Sequence, residues 1–192
     1  MDHESVTIVS GLPRSGTSMM MKMLEAGGMT PMVDNIRKAD EDNPKGYYEL
    51  ERVKELDKSD DKDWLVEAQG KVVKIISQLL KELPSNQTYK VIFMRRKMAE
   101  ILASQKQMLV RRGQPTDQIS DEELARLFEQ HLRQLEGWLA EQPNFDVVYV
   151  PYNEVLTEPD KHAAAMNEFL GGGLDTDAMA AVVDKSLHRQ RA

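Results

Sequence analysis

The chain has 192 residues, 41% of them hydrophobic, with 32 Asp and Glu against 25 Lys and Arg for a net charge of −7. That length suits one domain with its own core, and the lack of cysteine excludes a disulfide framework, thiolate zinc sites and a cysteine nucleophile. The acidic balance and an aromatic content of only 6% exclude a general nucleic-acid binder, which needs clustered basic charge and stacking rings.

Residues 1–5 are polar and acidic, unlike a signal peptide. No run approaches the roughly 18 apolar residues that a membrane span requires. The expectation is a cytoplasmic protein without membrane insertion.

In chain order, the β-branched run at residues 5–10 predicts a buried strand that stops at Gly11-Leu12-Pro13. A helix is expected over 16–26, ended by Gly27-Gly28; its cluster Met19, Met20, Met21 and Met23 reads as one core face. A short second strand at 29–33 is weakened by Pro31. Residues 34–63 are polar and read as a loop or insertion that shapes an acceptor pocket and closes over a donor.

A helix is expected over about 62–83, with Leu65, Val72, Val73, Ile76, Leu79, Leu80 and Leu83 on its apolar side. Residues 89–94 form a strand ending in Arg95-Arg96-Lys97, followed by a helix to about 111. Ser120 and Glu123 form a capping box opening a helix to about 141. A strand at 146–150, a helix from 157 to the glycines at 171–173, and a helix over about 175–185 complete the chain. Strands separated by helices imply parallel pairing. The expected fold is a single α/β domain, a three-layer sandwich around a small parallel sheet with a P-loop-like phosphate-binding loop.

Ligands of such sheets bind beyond the carboxyl ends of the strands, and two clusters stand there, Gly11–Ser18 and Arg95–Lys97. The first has the spacing of glycine, four residues, glycine, lysine and a hydroxyl residue, between a strand and a helix. A loop wrapped on a helix N-terminus aims backbone N–H groups and the positive dipole end at one point. Here Thr17 occupies the lysine position and the cation stands upstream at Arg14. No predicted strand ends in the aspartate that holds magnesium in triphosphate enzymes, so phosphate binding without a metal is expected.

These residues resemble the sulfotransferase family that uses 3′-phosphoadenosine 5′-phosphosulfate (PAPS). The first family signature stands as Pro13-Arg14-Ser15-Gly16-Thr17-Ser18. The second, a strand ending in Arg with Ser eight positions later, stands as Arg96 and Ser104, with Arg95 a competitor for the role. Val150-Pro151-Tyr152-Asn153-Glu154 leading to Phe169-Leu170-Gly171 is similar to a third family segment. Asn43-Pro44-Lys45-Gly46-Tyr47-Tyr48-Glu49 resembles bacterial members, and the set spans residues 5–171.

The resemblance implies that Arg14, Ser15, Gly16, Thr17 and Ser18 hold the 5′-phosphosulfate, with Arg14 the key cation at the leaving oxygen. It implies that Arg96 and Ser104 hold the 3′-phosphate, aided by a late basic segment containing Lys185 and Arg189. A general base must take the acceptor's proton. The His that cytosolic members use is missing, since no His lies between His3 and His131. Other members use a Glu, and Glu49 is the candidate, with Asp40, Glu41 and Asp42 as rivals. The acceptor is an unidentified small molecule or carbohydrate bearing a hydroxyl or amine. Two alternatives stay open: a P-loop nucleotide or small-molecule kinase, and a non-catalytic nucleotide-binding relative.

Overall fold

The computed structural model describes residues 4–34, 36, 46–116 and 118–188. Four parallel strands, β1 (Val6–Gly11), β2 (Val72–Lys74), β3 (Tyr89–Arg95) and β4 (Phe145–Pro151), form one sheet in the order β2-β1-β3-β4. The chain leaves β1 toward one edge and crosses back to place β3 on the other side. The ends of β1 and β3 therefore flank the switch point where α/β sheets bind ligands.

Alternation along each strand feeds two cores. On one face Val9, Val72, Ile92, Met94 and Val150 pack against α1 (Thr17–Ala26) and, further along the chain, α4 (Tyr152–Thr157), α5 (Pro159–Phe169) and α6 (Thr176–Ala181). Met20, Met21 and Met23 are fully buried there. On the other face Val6, Ile8, Val91 and Phe93 pack under α3 (Asp121–Ala140) and two 3-10 turns, Asp63–Ala68 and Ser77–Glu82. α2 (Met98–Arg111) leaves the end of β3. The result is a four-strand parallel α/β sandwich.

The helix expected over 62–83 is not there. Gly70, at φ 70°, turns the chain, and its N–H donates to the Ser5 carbonyl at 3.1 Å. Val72 and Val73 then enter opposite cores. A continuous β-branched run suits a strand buried on both faces better than a helix, so β2 forms between the two turns. The strand expected at 29–33 contracts to a bridge between Pro31 and Val72, held by Met32 N–H to the Val72 carbonyl at 2.8 Å and Val72 N–H to the Thr30 carbonyl at 3.1 Å. The last helix ends at Ala181, and a separate turn covers Lys185–Leu187.

α3 begins with half of the expected capping box. Ser120 Oγ accepts from the Glu123 N–H at 3.1 Å, while the Glu123 carboxylate turns to Arg126 at 2.7 and 2.9 Å. Because one orphan donor depends on the hydroxyl, Ser120→Ala is expected to destabilise the fold by about 1 kcal/mol. Thermal denaturation checks this, with a melting point lowered by about 2–4 °C expected.

Candidate active site

The loop from Gly11 to Gly16 folds back under the first turn of α1. Gly11, at φ 145°, leaves no room for a side chain, because a Cβ would stand 2.5 Å from Ser15 Oγ and 2.7 Å from the Met94 carbonyl. Gly16 caps α1 at φ 101°, and a Cβ there would meet the Tyr152 ring at 2.3 Å. Arg14 adopts φ 69°, a left-handed backbone uncommon for a long side chain. Ser15 Oγ is buried with no hydrogen-bond partner among the described residues.

The end of β3 joins this loop through its second arginine. Arg96 Nη1 donates to the Arg14 carbonyl at 3.0 Å, and Arg14 Nε donates to Ser104 Oγ on α2 at 2.9 Å. Arg96 Nε also donates to Glu100 Oε2 at 2.8 Å, and its guanidinium lies 4.5 Å from the centre of the Tyr152 ring. The two motifs read separately from the sequence thus meet through their own side chains.

Glu100 is the hub of this corner. It is only 1% exposed, and it accepts from Arg96, from Asn153 Nδ2 at 2.8 Å and from His188 Nε2 at 2.9 Å. Burial pushes its pKa up, but the donors from Arg96, His188 and Asn153 outweigh burial and hold it below the usual value. His188 stands edge-on to Tyr152, with ring centres 5.6 Å apart.

The other wall carries Glu49. Asp34 accepts from the N–H groups of Ile36 and Glu51 at 3.0 and 2.6 Å, bonds that lower its own pKa. Asp34 N–H donates to the Glu49 carbonyl at 3.3 Å, so the backbone leaving Glu49 is fixed. Its carboxylate lies 4.0 Å from Lys74 Nζ and 3.9 Å from Lys54 Nζ. Lys74 also donates to the Tyr47 carbonyl, toward which the Ser18 hydroxyl points at 3.5 Å.

These groups line one cleft of about 490 Å³, within the range of small-molecule sites. Arg14, Gly16, Thr17, Ser18, Glu49, Arg96 and Ser104 all border it. Seven Lys and Arg side chains line it against two acids, Glu49 and Asp184, on a chain of net charge −7. Low-dielectric walls focus such charge on an entering anion. A phosphate-bearing donor fits the residues that border the cleft, with the Arg14 and Arg96 guanidiniums and the Thr17, Ser18 and Ser104 hydroxyls on it, whereas Ser15, 1% exposed, does not border it.

Arg95 is turned the other way. It pairs with Glu136 on α3 and lies 5.5 and 5.2 Å from the ring centres of Phe93 and Tyr149. Lys185 does not border the cleft; from its segment Asp184 and Leu187 do. Arg189, Asp40, Glu41 and Asp42 lie outside the described residues. His131, on α3, faces Ser77 Oγ at 2.9 Å, on the far side of the sheet from α1. The sequence reading missed Lys74, Glu100, Tyr152 and His188. Glu100 had a signal, since it stands one helical turn before Ser104 on α2 and so shares its face.

The family model described as Sulfotransferase domain matches residues 4–190. The chain belongs to the sulfotransferase domain family. As a sulfotransferase it takes PAPS as donor and transfers its sulfuryl group. Two solved structures share the fold. The sulfotransferase domain of the Synechococcus PCC 7002 olefin synthase is 14% identical with a TM-score of 0.56, over 98% of this chain and 82% of that one. The sulfotransferase domain from the curacin biosynthetic pathway is 12% identical with a TM-score of 0.56, over 100% of this chain and 93% of that one. No curated protein sequence matches. Among the described residues, no helix of this sulfotransferase is long and apolar enough to cross a membrane.

The depressed pKa of Glu100 gives a test of the corner. Its ionised form stabilises the fold above the ordinary carboxylate range, and that contribution is lost as the pH falls through the lower folded-state value. Glu100→Gln is expected to cost about 2 kcal/mol at pH 7, from weakened charge-assisted hydrogen bonds. Urea denaturation across pH checks this, and the gap to the parent protein should narrow below about pH 4.

Proposed function

We propose that this sulfotransferase binds PAPS along Arg14–Ser18, Arg96 and Ser104, and that Glu49 is the general base for an acceptor hydroxyl or amine. The single observation that carries this reading is the Arg14–Ser104 hydrogen bond together with the Arg96 bond to the Arg14 carbonyl. Both phosphate-holding groups then border one cleft, with Glu49 across from them.

Bound at this site, PAPS supplies an activated sulfuryl group and a phosphate leaving group. The chain's part is electrostatic and positional. Arg14 and the N–H groups at the start of α1 stand ready where negative charge grows on the leaving oxygen. A guanidinium stays charged throughout, so Arg14 acts by charge and hydrogen bonding, without donating a proton. Lys74, at the end of β2, brings a second cation to the same cleft beside Glu49. Glu49 accepts the acceptor's proton, and its two ammonium neighbours hold the carboxylate in place.

The strands on either side of β1 end in Lys74 and Arg95, where a magnesium-dependent phosphoryl-transfer enzyme of this loop type carries an aspartate. That supports sulfuryl over phosphoryl transfer. The proposed location is the cytoplasm.

Arg14→Ala is expected to lower kcat by about 10²–10³-fold. Arg96→Ala and Ser104→Ala should mainly weaken the affinity for 3′-phosphoadenosine 5′-phosphate in calorimetric titration. Glu49→Gln should keep that affinity and lose transfer. A protein that gives no heat and no thermal shift with millimolar nucleotide would sink the donor assignment. Unchanged turnover in Glu49→Gln would remove it as the base.

A further inference from the structure

Beyond the donor-holding residues the cleft continues between the 3-10 turn Glu51–Glu55, the stretch after β2 and the inner face of α2. Its wall there is aliphatic: Leu50, Val53, Ile75, Ile76, Leu79 and Met108. Ile76 is 43% exposed, a large side chain left facing the opening. Glu49 is the one acid on this wall among the described residues. A pocket for a sugar needs many fixed polar partners for its hydroxyls; here Gln105 and Gln107 on α2 are the amide side chains that stand beside the six apolar ones.

The same stretch holds further cations. Arg111 and Arg112 close the far end of α2, seven and eight residues beyond Ser104, which is about 10 Å along the helix axis. Lys22 from α1 also borders the cleft, while Lys54 belongs with Glu49 and Glu51, at 3.9 and 2.6 Å. The cleft therefore runs from a phosphate cradle, past Glu49, along an aliphatic wall to a basic mouth.

We infer that the acceptor is an anionic amphiphile, an aliphatic alcohol that carries a carboxylate or similar anion away from its hydroxyl. This rests on the sulfotransferase reading. The aliphatic body lies on the Leu50–Leu79 wall, where burial out of water drives binding. The anion meets Arg112 and its basic neighbours. In the transfer, the acceptor oxygen forms a bond to the donor's sulfur while the bond from sulfur to the phosphate oxygen breaks. The hydroxyl proton passes to Glu49, and the products are a sulfate monoester and 3′-phosphoadenosine 5′-phosphate.

The test uses the full chain, PAPS and four acceptors: 12-hydroxydodecanoate, 1-dodecanol, 12-amino-1-dodecanol and methyl glucoside. The hydroxy acid is expected to have the highest kcat/KM, at least tenfold above the neutral alcohol, with the amino alcohol and the glucoside lower still. Arg112→Glu should abolish the preference for the acid over the alcohol. Leu79→Asp should lower kcat/KM for both at least tenfold, while nucleotide affinity by calorimetry stays within twofold of the parent and reports that the variant is folded. A glucoside preference, an acid no better than the alcohol, or turnover of none of the four by a protein that binds the nucleotide would each overturn the inference. A parent protein that does not bind the nucleotide overturns the donor reading instead, and the acceptor class falls with it.

Discussion

The site depends on one buried carboxylate. Glu100 gathers an arginine from the end of β3, an amide from α4 and an imidazole from the C-terminal turn. A buried charge persists only when its lone pairs are satisfied, so these three segments are held in one arrangement. Arg96 is fixed by that requirement, and through it the carbonyl of Arg14. The phosphate loop is therefore braced from outside. Its own glycines give it freedom to bend, and Glu100 decides, through Arg96, where the bend comes to rest.

The acidic composition and the basic cleft belong to one design. The chain as a whole carries a net charge of −7, while Lys and Arg from α1, β2, the end of β3 and α2 border one opening. A net negative chain disfavours polyanions in general, whereas a small anion reaches a focused positive site. Lys74 shows how the sheet contributes. As the last residue of the edge strand β2, after the buried Val72 and Val73, it delivers its ammonium past the strand end, beside Glu49.

Much of this was legible in the sequence, and for physical reasons. The strand, glycine loop and helix at 6–26 carry local signals that tertiary contacts reinforce. Arg96 and Ser104, named from the family signature, both reach the loop through Arg14, one at its carbonyl and one at its side chain. Residues 62–83 misled because their apolar spacing suits both a helix and a buried strand, and only contact with two cores decides between them. Reading that segment as helix hid Lys74, which has meaning only at a strand end. Arg95 and Arg96 look equivalent in sequence, but alternation along β3 sends them to opposite sides, one to α3 and one to the loop. His188 stands in the late basic segment, but its pairing with Glu100, 88 residues away in the chain, had no local signal.

The left-handed backbone of Arg14 has a consequence for evolution as well as for binding. An arginine at φ 69° is strained by about 1–2 kcal/mol relative to a glycine in the same place. Selection for stability alone would replace it, and the loop would relax. Position 14 is thus a place where this chain is less stable than its fold permits, and the deficit is the thermodynamic trace of a positive charge held where a folded backbone would rather not put one.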